Sequence, residues 1–187
     1  MSSPSYRVQP LSVAFHLTGF DLTGFDLTAF DCGEPTYDQW LVNHARQAVR
    51  SGSAAVQLLV ERQSGSARVV GYYAICPTLV VRAATPKQLR QGLLRSAPGW
   101  LLAKLALDRS LRGDPDRQWG RQLLRQALLT IIEAAEVGGG QLIVVDPANA
   151  GLVDWYAGNG CLTTGGPDLR MYLKVATARA YLRSEPG

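Results

Sequence analysis

Trp100 to Gly138 constrains this chain more than any other stretch. An apolar run, Trp100-Leu-Leu-Ala-Lys-Leu-Ala-Leu107, stops at Asp108. A polar, glycine-bearing turn follows, from Arg109 through Arg112-Gly113 to Gly120. Leu123, Leu124, Ala127, Leu128, Ile131, Ile132 and Ala135 then recur at helical spacing, and Gly138 is placed to end the helix as a left-handed cap. The pattern reads strand, loop, helix. Such a unit aims the unpaired N–H groups of the first helical turn at the loop. A phosphate there finds donors, and the helix dipole favours its charge. Arg109, Arg112, Arg117 and Arg121 add full positive charges to the same loop. The plainer alternative is an ordinary crossover with a solvated basic turn.

Composition bounds the rest. With 187 residues, 47% of them hydrophobic, the chain suits a single domain, 1–187, with a real core and no linker. No apolar run approaches the roughly 18–20 residues of a membrane span, and the N-terminus lacks a signal-peptide core. A cytoplasmic protein without a membrane partner is expected. Cys32, Cys76 and Cys161 are odd in number and lack metal spacing, so they read as reduced thiols. With only His16 and His44 beside them, no metal site is expected. The net charge of +4 hides a segregation: residues 1–40 carry −4, residues 41–125 carry +10 and residues 126–187 carry −2. A region at +10 attracts a polyanion such as nucleic acid through its field and through counterion release. Arg46, Arg50, Arg82, Lys87, Arg90 and Arg95 lie in it outside the loop and are the candidates for that contact. Ordinary solvated charges are the alternative.

The remaining elements follow in order. Leu17-Thr-Gly-Phe-Asp21, Leu22-Thr-Gly-Phe-Asp26 and Leu27-Thr-Ala-Phe-Asp31 form a short repeat in the N-terminal segment, 1–30. Three copies are too few for a solenoid, so a local duplication lengthening one loop is expected. Thr36, with Gln39, reads as a capping box opening a helix that ends near Gly52. Ala55–Arg62 and Arg68–Ile75 read as a hairpin. Thr85-Pro86 looks like the start of a short helix to about Leu94, and Ser96–Gly99 a break before the central strand. Leu142–Asp146 reads as a buried strand, Ala150–Gly158 as a short helix, and Arg170–Val175 as the last strand. The whole is mixed α/β.

Particular motifs narrow this reading. Leu105-Ala-Leu-Asp-Arg-Ser-Leu-Arg-Gly113, followed by Gly120-Arg-Gln-Leu-Leu-Arg, resembles the acetyl-CoA-binding motif of GNAT acetyltransferases. Asp114–Trp119 makes the loop longer than the family usually writes it and adds two acids. Asp154-Trp-Tyr-Ala-Gly-Asn-Gly-Cys161 is similar to the family's Phe-Tyr-x-x-x-Gly-Phe ending, with Tyr156 at the tyrosine and Cys161 in place of the last aromatic. Phe30-Asp-Cys-Gly33, Tyr37-Asp-Gln-Trp-Leu41 and Val69-Val-Gly-Tyr-Tyr-Ala-Ile75, in this order, look like the GNAT toxins of type II toxin–antitoxin pairs.

That resemblance implies a GNAT fold, a central mixed sheet flanked by helices. It implies acetyl transfer from acetyl-CoA to the α-amine of aminoacyl-tRNA, which blocks translation until a ribbon-helix-helix antitoxin neutralises the enzyme. Acetyl-CoA would lie along Leu105, Ala106 and Leu107, with its pyrophosphate at Arg112, Gly113, Gln118, Trp119, Gly120 and Arg121. Tyr156 would protonate the leaving thiolate, its alternative being a core aromatic. The chemistry is consistent: at pH 7 a lysine side chain must lose its proton at a cost of about 4–5 kcal/mol, an α-amine only about 1–1.5 kcal/mol. A site without a His or Glu base can therefore still acylate an α-amine. A GNAT acting on a protein N-terminus or small amine stays open, as does a non-catalytic GNAT-like binding module with an altered loop. The sequence leaves the preferred aminoacyl-tRNA and the oligomeric state undecided, although related toxins are often homodimers.

Overall fold

A computed structural model describes residues 4–11, 27–64 and 66–184. Its seven strands form a mixed sheet: β1 Ser5–Pro10, β2 Ala55–Gln63, β3 Ser66–Val81, β4 Ser96–Leu107, β5 Leu142–Val145, β6 Leu162–Thr163 and β7 Met171–Lys174. The helices are α1 Pro35–Asn43, α2 Ala45–Arg50, α3 Trp119–Gly138, α4 Ala150–Gly158 and α5 Val175–Ser184. The mixed α/β expectation therefore holds. The chain forms two compact units, residues 1–74 with 104–126, and residues 75–103 with 127–187. Most of the duplicated repeat lies outside the described residues. Its last copy, from Leu27, is inside.

In the first unit β1, β2, β3 and β4 are neighbours in that order, with β1 antiparallel to β2 from Ser5↔Arg62 to Pro10↔Gln57. Leu41 of α1 and Ala45 of α2 are fully buried against Val56, Leu58, Val60, Val69 and Tyr72. Leu27, Phe30 and Cys32 close the same cluster. Burial of such side chains supplies roughly 1.5–3 kcal/mol each.

In the second unit the strand order is β3-β4-β5-β7-β6. β5 pairs parallel with β4 from Gly99↔Leu142 to Leu102↔Val145 and antiparallel with β7. All four β5 residues are buried, as expected of a strand covered on both faces. Val80, Leu89, Leu93, Ala97, Leu142, Val144 and Tyr172 cluster around it.

Several expectations need correction. Helix α1 starts one residue before Thr36, because Pro35 takes the first helical position and Glu34 is the N-cap. Pro35 has no N–H to satisfy and its φ is already helical. The Thr36 hydroxyl donates to the Glu34 carboxylate at 3.0 Å instead of capping. The helix is also interrupted at His44, giving α1 and α2. Thr85-Pro86 opens no α-helix, only a single 3₁₀ turn, Lys87–Leu89. The Thr85 hydroxyl donates backwards to the Arg82 carbonyl at 2.8 Å and so caps nothing ahead of it. Ser96–Gly99 continues β4 rather than breaking it. Gly99 is required there because a Cβ would lie 2.8 Å from the Leu142 carbonyl oxygen. β1, β6 and α5 were absent from the sequence reading.

Gly138 is the last residue of α3, and the left-handed position is Gly139, φ +75, whose N–H donates to the Ala135 carbonyl at 3.0 Å. The turn is completed by Gly140 at φ +129. Trp100 Nε1 donates to the Gly139 carbonyl at 2.9 Å, which brings the indole onto this turn. A Cβ on Gly140 would lie 2.8 Å from two ring atoms of Trp100. Gly52, φ +68, has nothing within 4 Å of such a Cβ. Gly140→Ala is therefore expected to cost about 2–3 kcal/mol, left-handed strain plus a rigid clash, and Gly52→Ala about 1 kcal/mol, strain alone. Urea midpoints of the two variants check this; equal losses would contradict it.

Candidate active site

Five side chains hold the turn after β4 in place: Asp108, Ser110, Arg68, Glu61 and Tyr6. Asp108 ends the strand, its N–H donating to the Val70 carbonyl at 2.9 Å, and only 5% of it is exposed. Its Oδ1 accepts the Ser110 N–H at 2.9 Å and the Ser110 hydroxyl at 2.6 Å. Its Oδ2 accepts the Asp31 N–H at 3.1 Å. Arg68 stands 3.9 Å from the same carboxylate and donates to the Ser110 hydroxyl at 2.9 Å. Arg68 is itself fixed by Glu61 at 2.6 Å, and Glu61 accepts the Tyr6 hydroxyl at 2.7 Å. Burial alone would raise the Asp108 carboxyl; the Ser110 and Asp31 donors and the Arg68 charge outweigh it and hold the group below the ordinary carboxylate range.

From this anchor the loop is folded by its own polar groups. Arg109 pairs with Asp31 at 3.3 Å, and its N–H donates to the Asp31 carbonyl at 3.0 Å. Arg112 donates to the Cys32 carbonyl. Gly113, φ +80, is exposed with open space around its Cα. Asp114 Oδ1 accepts the N–H groups of Asp116 and Arg117 at 3.1 and 3.0 Å, so this acid is committed to the turn. Gln118 has φ +46, a left-handed conformation rare outside glycine. Its carbonyl accepts Arg121 and Gln122 N–H at 2.8 and 3.2 Å and starts α3. That leaves Trp119 and Gly120 N–H at the head of the helix for an outside acceptor.

The residues expected from the sequence to bind the cofactor lie on the end of β4, in the loop after it and at the head of α3. Leu105, Ala106 and Leu107 are the last residues of β4, and its pairing with β5 ends at Leu102. The N–H and C=O groups of a strand end beyond its ladder are available to a ligand. The Trp119 ring is buried, 4.3 Å from Tyr6 between centroids, with the Arg117 guanidinium over both rings at 5.5 and 5.9 Å. Trp119 can therefore offer a ligand its backbone rather than its ring. Arg121 is exposed and donates to Gln118 Oε1 at 3.2 Å. Arg112 is exposed apart from its bond to Cys32.

Tyr156 lies in the second unit, on α4, and is 5% exposed with its ring edge-on to Trp155 at 4.8 Å. Asn149 starts this helix, its side chain accepting the Leu152 N–H at 3.2 Å. The Tyr156 carbonyl accepts Asn159 and Cys161 N–H at 3.0 and 3.1 Å and ends it, with Gly160 at φ +87. Burial pushes the Cys161 thiol up to about 12, and burial with the Asp38 hydrogen bond does the same at Cys32, so neither is a thiolate at neutral pH.

The six basic candidates divide between the units. Arg46 and Arg50 are on α2, Arg46 with a buried Nε that has no partner among the described residues. Arg82, Lys87 and Arg95 are exposed around the 3₁₀ turns of the second unit. Arg90 is used differently: it donates to the Thr85 and Ala83 carbonyls at 3.0 and 2.8 Å and holds that loop together. Sequence reasoning missed the role of Asp108, although an Asp two residues before a Ser at a strand end is the signal of a side-chain-capped turn. It also missed Lys104, which lies over the rings of Tyr37 and Trp40.

No protein-family profile matches the chain. A protein of Mycobacterium tuberculosis named tRNA-acetylating toxin is 36% identical over 114 residues, 60% of this chain and 64% of that protein. The matched region thus spans just under two thirds of the relative's length. A solved structure of AtaT complexed with acetyl-methionyl-tRNAfMet superposes with a TM-score of 0.80 at 23% identity, covering 95% of this chain and 99% of that one. The chain has the GNAT acetyltransferase fold. A tyrosine-to-phenylalanine mutant of AtaT, bound to the C-terminus of the antitoxin AtaR and acetyl-CoA, matches with a TM-score of 0.76 at 23% identity, over 96% of this chain and 99% of that one. No helix among the described residues is long and apolar enough to cross a membrane.

Asp108 gives a pH-dependent test of the loop anchor. In Asp108→Asn an amide NH₂ must face N–H donors, and the charge opposite Arg68 is gone, at a cost of about 2–3 kcal/mol. A depressed carboxyl stabilises the fold fully above its unfolded pKa of about 3.9 and loses that contribution as pH falls through the lower folded value. Melting temperatures of native and Asp108→Asn protein should differ at pH 7 and converge below about pH 4. A gap that persists unchanged in acid would contradict the assignment.

Proposed function

We propose that this protein is an acetyl-CoA-dependent N-acetyltransferase toxin that acetylates the α-amine of aminoacyl-tRNA and so blocks translation. The observation that carries the reading is its GNAT fold, matched over 95% of the chain by AtaT complexed with acetyl-methionyl-tRNAfMet. The 36% identical tRNA-acetylating toxin supports it. A cytoplasmic location and neutralisation by a ribbon-helix-helix antitoxin follow from the same reading. The structure of AtaT with the C-terminus of AtaR supports the antitoxin partner.

The residues present suit acetyl-CoA. Gly113 lets a pyrophosphate approach the backbone, Trp119 and Gly120 supply N–H donors at the N-terminus of α3, and Arg121 supplies charge. Leu105 and Leu107 offer backbone groups for the pantetheine amides. The free α-amine attacks the thioester carbonyl, the C–N bond forms and the C–S bond breaks. Tyr156 donates its phenolic proton to the departing sulfur, and the proton lost by the amine restores the phenol. A phenol suits this because its pKa of about 10 is near that of the thiolate it protonates.

Tyr156→Phe tests the reading. It keeps the ring and its packing on Trp155 while removing the proton. Acetylation of aminoacyl-tRNA should fall by about 10²–10⁴-fold, with acetyl-CoA affinity by calorimetry nearly unchanged, because the contribution arises in the transition state. Growth inhibition on expression should vanish with it. A folded variant acetylating at the native rate would return Tyr156 to the core.

A further inference from the structure

Lys104 is a half-buried cation of the first unit to which the described residues give no acceptor. Its ammonium stands 4.5 Å from the centre of the Tyr37 ring and 6.0 Å from that of Trp40. Among the described residues no carboxylate lies within ion-pair distance of it, and no oxygen accepts its N–H groups. A lysine with three donors, partly withdrawn from water, is incompletely satisfied by two ring faces. An apolar side chain would pack beside Tyr37 and Trp40 without that deficit.

The aromatic wall behind it is rigid. Trp40 stacks on Tyr72 at 5.9 Å with 10° between planes. Tyr72 is fully buried, held by its hydroxyl on the Tyr37 carbonyl at 2.9 Å and by the edge of Phe30 at 5.5 Å. Tyr37 and Trp40 themselves stay partly open to solvent. Lys104 directly precedes Leu105–Leu107 on β4, the backbone assigned above to the pantetheine arm. A half-buried cation beside partly exposed rings at a strand end has the makings of a single-stranded nucleotide seat: phosphate on the ammonium, base on the ring.

We infer that Lys104, with Tyr37 and Trp40, receives the 3′-terminal nucleotides of the acceptor RNA, Nζ donating to a backbone phosphate. This rests on the reading of charged tRNA as the acceptor. It makes Lys104 a specificity residue that favours an amine carried on RNA over the same amine on a peptide.

The test measures acetylation of aminoacyl-tRNA by the full chain at several salt concentrations, in native protein, Lys104→Met and Lys104→Arg. Lys104→Met should raise the KM for charged tRNA about tenfold and reduce the log–log salt slope by about 0.7, the value for one contact to a single-stranded phosphate. Lys104→Arg should restore both. Acetyl-CoA affinity should be the same in all three. Lys104→Gln replaces the methionine variant if that one fails to fold. An unchanged salt slope overturns the inference whatever happens to KM, and so does an arginine variant that behaves like the methionine one. Native protein that binds acetyl-CoA but transfers nothing to charged tRNA overturns the acceptor reading itself, and the role of Lys104 falls with it.

Discussion

A single carboxylate fixes the geometry on which the candidate site depends. Asp108 sits where β4 leaves the sheet, and burying its charge without partners would cost several kcal/mol. Four interactions offset that: two from Ser110, one from the Asp31 N–H and the charge of Arg68. Because the partners come from β3, from the segment before α1 and from the turn itself, satisfying one group orders three pieces of chain. The loop from Arg109 to Gln118 then starts from a defined direction. Its later part is shaped by Asp114 and by the left-handed Gln118, which together set the head of α3.

The basic excess of the central region is put to several uses. Arg68, Arg90, Arg109 and Arg112 are tied to carboxylates or carbonyls of the fold itself. Arg50, Arg82, Lys87 and Arg95 are exposed. Residue counts alone therefore overstate the field available to a polyanion. Charges on exposed side chains act at long range and fade with salt, whereas the half-buried Lys104 acts only on what reaches it.

The β4–loop–α3 unit was legible because its signals are local. Seven apolar positions at helical spacing fix α3, and the apolar run fixes the central strand. Ala150–Gly158 was legible for the same reason, with Asn149 capping it. Thr85-Pro86 misled because its signal is also that of a single turn, and the choice was made by the buried Thr85 hydroxyl and by Arg90 clasping two carbonyls. Helix α5 was hidden by continuity, since nothing in the sequence separates Lys174 of β7 from Val175. Pro10 disguised β1, which among the described strands pairs with β2 alone. In the site, the glycines and arginines of the loop carry a familiar pattern. The Lys104–Tyr37–Trp40 group does not, because its members lie far apart in sequence and only the fold brings them together.

The most direct measurement follows the acetyl group. Purified protein is incubated with labelled acetyl-CoA and a pool of charged tRNA, and the amino acids are then released by mild base. The account predicts label on the α-amine of amino acids released from tRNA, and none when the tRNA is deacylated beforehand. Protein that binds acetyl-CoA yet leaves the tRNA-borne amino acids unlabelled, or labels lysine side chains instead, would contradict it.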